Sequence, residues 1–286
     1  MKRSSPGRRV ALLAGCAALA LLLFFGWSSR AWIGAWYLLS TQFERLPENS
    51  QGFREYRHPE TGVIFVHLPG GRCLLGSRDI GAKPREPARL DTFRISPRDP
   101  RQPQREVTLA PFLVAKYELS QEVWTRVMGT QPSQFQGGEL PVERVSWESC
   151  QELCARTGFD LPTPAQWEYA CRSGTKTSFA FGEKISYDRV NYRGDRPSRH
   201  TLTPGVHRNR TLPVNSFTPN AFGIHNMHGN VWEWCRGPQH SKDQWVRGGS
   251  FFRGAGLARS SVGVRADREL RGHDIGMRPV YNLHQE

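Results

Sequence analysis

The chain has 286 residues, of which 38% are hydrophobic, 11% aromatic and 23% charged, enough for one large globular domain or two small ones and incompatible with a disordered chain. Its 28 glycines and 20 prolines follow no Gly-X-Y period, which excludes collagen and favours a loop-rich fold in which nine Trp and fifteen Phe supply the buried area. The formal net charge of +13 raises the question of a nucleic-acid partner, but no basic helix run, zinc-finger spacing or aromatic RNA-binding signature accompanies it, so no nucleic acid is expected. A solvated basic surface, facing anionic lipid, is the plainer reading.

Residues 1–9 carry Lys2, Arg3, Arg8 and Arg9 and no acid, and an uncharged apolar run follows from Val10 to Trp27. That run approaches the ~20 residues needed to cross a bilayer. A second apolar stretch, Ala31 to Leu39, follows Arg30, with Trp27, Trp32, Trp36 and Tyr37 placed as interfacial anchors. Residues 10–39 are therefore expected to form a single-pass transmembrane helix, an uncleaved signal anchor. The basic end would be cytoplasmic and the remainder periplasmic or exterior. A cleaved signal peptide at Ser29-Arg30-Ala31 and a lipid-bearing Cys16 are the competing readings.

Residues 40–60 are polar and aperiodic, as expected of a linker. From Thr61 onward strand signals begin: Gly62 to Leu68, then Cys73 to Gly76, and after a Pro/Arg-rich loop over residues 77–106, Val107 to Tyr117. Three helices are expected. Leu119 to Met128 is the first. Ser146 to Thr157 follows, capped by Ser146 and burying Trp147, Cys150, Leu153 and Cys154 on one face. The third starts at Thr163-Pro164-Ala165-Gln166, a capping box with Pro at the first helical position, and Gly174 is placed to end it. The rest reads as loops and short strands, so residues 61–283 form an α+β domain.

Five cysteines lie outside the apolar run: Cys73, Cys150, Cys154, Cys171 and Cys235. An odd number cannot all pair within one chain, and Cys150 with Cys154 is set for core packing more than for a disulfide. No CxxC or His-rich set suggests zinc.

Four ordered blocks stand out. They are Leu161 to Ala170 (LPTPAQWEYA), Asn220 to Trp234 (NAFGIHNMHGNVWEW), Arg247-Gly248-Gly249-Ser250 and Ile275-Gly276-Met277-Arg278. Together they resemble the signature blocks of the formylglycine-generating enzyme, or sulfatase-modifying factor, family. The resemblance implies a C-type-lectin-like variant fold. Asn226, Gly229, Val231 and Glu233 offer an amide, two carbonyls and a carboxylate, hard oxygens of the kind calcium takes, and they match the family's calcium site. A second calcium site would begin at Asn191 and Tyr192, although its acidic position, near Val206 to Arg208, lacks the Asp.

The resemblance also implies copper held by two cysteines three and eight residues after RGGS. Here those positions are Arg253 and Ala258, neither of which binds copper(I), so copper is not expected. Trp232 and Ser250 match residues lining the family's oxygen pocket. Three readings follow: a divergent oxidative, protein-modifying or maturation factor with a protein or peptide client, a noncatalytic calcium-stabilised lectin-like binding module, and a formylglycine-generating sulfatase activator with displaced thiols. For the first, Arg253, His273, Asp274 and Cys235 are the candidate side chains.

Overall fold

A computed structural model describes residues 38–77, 103–195, 197–202 and 205–283. The apolar run Val10 to Trp27, the basic end before it and Cys16 lie outside the described residues. Among those described, no helix is long and apolar enough to cross a membrane.

Among the described residues eleven strands form three sheets. The first has the order β1 (Glu44–Glu48), β2 (Arg54–Arg57), β3 (Ile64–Leu68), β6 (Phe112–Ala115), β11 (Val280–Asn282), every neighbouring pair antiparallel. Its central strands are buried on both faces, and the strand period of two divides their side chains between two cores. Phe65, Leu113 and Ala115 join one core, with Trp124, Trp147, Trp232 and Trp234. Val66, Leu68, Phe112 and Val114 join the other, with Trp167 and Met227. The last strand, β11, lies beside β6, so the two ends of the domain close in one sheet.

The excursion between β3 and β6 carries the hairpin β4 (Gly71–Leu75) and β5 (Arg105–Leu109). The expected single strand from Val107 to Tyr117 is thus two strands, broken at Ala110-Pro111. The remaining sheet has the order β10 (Ile275–Gly276), β7 (Trp232–Cys235), β8 (Asp243–Arg247), β9 (Gly263–Asp267), with β10 parallel to β7.

Besides a helical segment over residues 38–42, the described α-helices are α1 (Gln121–Met128), α2 (Trp147–Thr157) and α3 (Pro164–Arg172). Ser120, Ser146 and Thr163 cap them, and Thr163 with Gln166 completes the expected capping box. Residues Trp147, Cys150, Leu153 and Cys154 form the buried face of α2, as their spacing requires. Helix α3 ends one residue earlier than expected, on Ser173 in the left-handed region.

The linker expectation for residues 40–60 is corrected. Strands β1 and β2 belong to the first sheet, and Phe43 is buried with its ring edge-on to Phe65 and Tyr281. Polar sequence here reflects an edge position: β1 is mostly exposed and holds Glu44–Arg57 and Glu48–Arg54 pairs across the strands.

Candidate functional site

The block from Asn220 to Trp234 folds as a chain of tight turns. Asn220 accepts from the amides of Phe222 and Ile224, and Asn226, Gly229 and Asn230 all take positive φ. Gly229 is required by space as well. A Cβ there would lie 2.2 Å from the Asn191 carbonyl oxygen.

A carboxylate from another element gathers this turn. Glu118, 2% exposed just after β6, accepts from Asn226 Nδ2 at 3.1 Å, Asn230 Nδ2 at 2.8 Å and the Val231 amide at 3.3 Å. Asn230 in turn donates to the Leu212 carbonyl and accepts from Leu212 N and Asn191 Nδ2. Sequence reasoning missed Glu118; a single acid at the end of an apolar strand carries no motif.

Burial pushes the Glu118 carboxyl up to about 8, with nearby Arg278 opposing and Glu233 reinforcing the rise. In the unfolded chain it ionises near about 4.3. Between those values the folded state holds a proton that the unfolded state has lost, so this group's contribution is complete at acid pH and is lost as pH rises toward 8. Glu143, raised to about 7 mainly by burial, acts with the same sign. Urea unfolding is therefore expected to give lower stability at pH 8 than at pH 5, by on the order of 2 kcal/mol. Glu118→Gln is expected to flatten the profile, and an unchanged slope in that variant would contradict the assignment.

Glu233 is spent on a second buried pair. Arg278 meets both of its oxygens, with contacts of 2.8 to 3.1 Å, and Trp167 Nε1 donates to Oε2 at 2.6 Å. Arg278 also donates to the Ala115 and His225 carbonyls, and both ion-pair partners are almost fully buried. A parallel arrangement joins α3 to β8: Glu168 takes Arg247 Nη2 at 2.7 Å and Arg172 Nε at 2.8 Å. The four motif blocks are thus joined in space by two buried charge clusters.

The calcium expectation can be weighed on this geometry. Its carboxylate, Glu233, is neutralised by Arg278, and the Asn226 amide nitrogen points at Glu118 and the Val214 carbonyl. That leaves Asn226 Oδ1 and the carbonyls of Gly229 and Val231, a neutral set next to a buried guanidinium. This does not fit a calcium cage, which combines carbonyl and water oxygens with carboxylates, because the one carboxylate of the set is taken by Arg278. The second candidate does not fit either. The Asn191 carbonyl accepts from Asn230 N, Tyr192 is fully buried in a small core, and residues 206–208 supply no carboxylate, with Arg208 acting on Tyr192 as a cation against Asp188.

The remaining expected residues separate into two places. Asp274 collects three of them: Ser250 Oγ donates to its Oδ2 at 2.7 Å, Arg253 Nε lies 3.4 Å from the same oxygen, and Trp232 N donates to its carbonyl. Arg253 and Asp274 are 7% and 1% exposed at their side chains. His273 packs edge-on against Phe251 and Phe252 above this pair. Ala258 packs against Gly249 at the end of a 3-10 turn, with its carbonyl accepting from His228 Nδ1 at 2.7 Å. Trp232 fills the core, and its indole nitrogen is buried without a hydrogen-bond partner.

Among the described residues no buried thiol is poised for chemistry. All five described cysteines are unpaired, and four of them, Cys150, Cys154, Cys171 and Cys235, are buried. Burial pushes the Cys235 thiol far above its ordinary range and Cys171 up to about 12. Cys171 lies 3.6 Å from His228 Nε2, but that nitrogen already accepts from the Ala180 amide while Nδ1 donates to Ala258, so the ring is fixed neutral and is no base for the thiol. Its pKa is lowered to about 4 by burial.

The sequence profile of the Sulfatase-modifying factor enzyme 1-like domain matches residues 54–283. The chain belongs to that family. Its relatives include the chaperone protein LppX of Paenibacillus barcinonensis, 31% identical with 62% of this chain and 82% of LppX covered. The mouse inactive C-alpha-formylglycine-generating enzyme 2 is 31% identical, with 64% and 71% covered. The mouse formylglycine-generating enzyme is 33% identical, but the match spans only 40% of its length. Among solved structures, PvdO from Pseudomonas aeruginosa superposes with a TM-score of 0.62 at 22% identity, covering 79% of this chain and 97% of PvdO. The sulfatase-modifying-factor chain therefore has the mixed α/β, sheet-rich fold of that neighbour.

Proposed function

We propose that this chain is a membrane-tethered, extracytoplasmic maturation factor that acts on a protein client without copper-thiolate oxidation. The observation that carries the reading is the Arg253–Asp274 pair. A guanidinium fills the first position where the family's oxidases would place a thiol, a methyl group fills the second at Ala258, and both are buried. Copper(I) needs soft thiolates, and a fixed cation in its place repels it. Two relatives, a chaperone protein and an inactive C-alpha-formylglycine-generating enzyme 2, support a protein-directed role without that oxidation. The lectin-like description implied by the resemblance suits such a role, since it leaves long loops for recognition.

A noncatalytic binding module is the second reading, favoured by the burial of four of the five described thiols. The two are separated by one experiment. A photo-crosslinking amino acid replaces Phe252, half-buried beside Arg253 and His273, in the full-length chain. Maturation predicts one discrete crosslinked protein whose intact mass or protease resistance changes in cells lacking the chain. A crosslinked protein that is identical in both strains supports the binding module, and no crosslink with an unchanged extracytoplasmic proteome overturns both.

A further inference from the structure

A cleft of about 650 Å³ includes Arg172 of α3 in its wall, and Glu233, Arg253 and Asp274 are not among its lining residues. Among its described lining residues are the cations Arg172, Lys176, Lys184, Arg199 and Arg259 and the acid Glu183. That acid is engaged locally, accepting from the Ser178 hydroxyl at 2.7 Å and from the Ser178 amide. Neither Lys176 nor Lys184 makes an ion pair among the described residues, and both are exposed.

The floor adds to this charge. Arg172 is only 6% exposed, and its donors are committed to Glu168, Thr177 O and Gly76 O, so it is fixed in place. Glu168 also serves Arg247, so one carboxylate answers two buried guanidiniums and a unit of positive charge is left beneath the cleft. A concave wall with low-dielectric backing concentrates such a field. His200 on the same wall is lowered to about 4, first by burial and then by Arg259 and Arg199, so it stays neutral and offers hydrogen bonds without charge.

We infer that this cleft binds a phosphate- or sulfate-type oxyanion, with Lys176 and Lys184 making direct contacts over the positive floor set by Arg172. Lysine ammonium groups suit such anions as point charges, and the Ser178 and Thr177 segment supplies polar edges. The site is separate from the Arg253–Asp274 position and does not depend on how that position is read.

Isothermal titration of the full chain with inorganic phosphate, sulfate, pyrophosphate and glycerol phosphate tests this at fixed ionic strength. Saturable one-to-one binding is expected, weakened roughly tenfold or more by the double variant Lys176→Ala/Lys184→Ala, since two nearby charges are removed. Tighter binding of the ester than of the free anions identifies an organic phosphate, and the reverse identifies a free oxyanion. Lys242→Ala removes a 77% exposed lysine elsewhere and is expected to leave binding unchanged. Absence of saturable binding, an unaltered affinity in the double variant, or an equal loss with Lys242→Ala would overturn the inference.

Discussion

Arg278→Met is expected to lower the unfolding free energy by about 3–5 kcal/mol, because it leaves the Glu233 carboxylate buried without its cation. The pair is 0% and 1% exposed at its side chains, so water cannot replace the guanidinium. The loss extends beyond one contact. Arg278 also satisfies the Ala115 and His225 carbonyls, and it ties the end of β10 to β6 and to the turn before β7. Substituting both partners, Arg278→Met with Glu233→Leu, is expected to recover part of the loss, since no charge is then stranded. Urea denaturation of the single and double variants measures this. The same assignment expects EDTA to leave the melting temperature of the wild-type chain nearly unchanged, because Arg278 and Glu118 hold the turn without a divalent ion. A large fall on chelation would show that calcium, and not these side chains, organises the block.

Much of the fold was legible because its signals are local. The Ser146 and Thr163 caps, the Pro164 start and the spacing of Trp147, Cys150, Leu153 and Cys154 act within a turn or two of helix, and each is present where expected. The ordered blocks were legible as a family pattern, and Trp167, Glu233, Glu168, Arg247 and Arg278 show why the pattern exists: the blocks meet through buried charge. The site was less legible for the same reason. Glu233 offers the same carboxylate to an ion or to an arginine, and only the three-dimensional fold brings Arg278, 45 residues away, into reach. Glu118 reaches the turn across 112 residues to Asn230, with no local signal at all. Strands β1 and β2 hid in polar sequence because β1 is an exposed edge strand and β2, inside the sheet, is built of Arg-Glu-Tyr-Arg with only Glu55 buried.

The wild-type chain is expected to hold no copper(I) at the position of the family's thiol pair and to leave a Cys-X-Pro-X-Arg peptide unoxidised. Arg253 is already paired with Asp274, Ser250 donates to the same carboxylate, and Ala258 has no donor atom to offer. Entry of a cation would have to displace a guanidinium from a buried acid and would find no thiolate in exchange. The described thiols give no alternative pair, since Cys150, Cys154, Cys171 and Cys235 are all held protonated by burial.

Copper(I) titration of the purified full-length chain against a chromophoric chelator, followed by mass spectrometry of the peptide after incubation with copper and oxygen, tests this most directly. The chelator is predicted to retain all of the metal and the peptide cysteine to keep its mass. One equivalent of copper withdrawn by the chain, with conversion of that cysteine to formylglycine, would contradict the account.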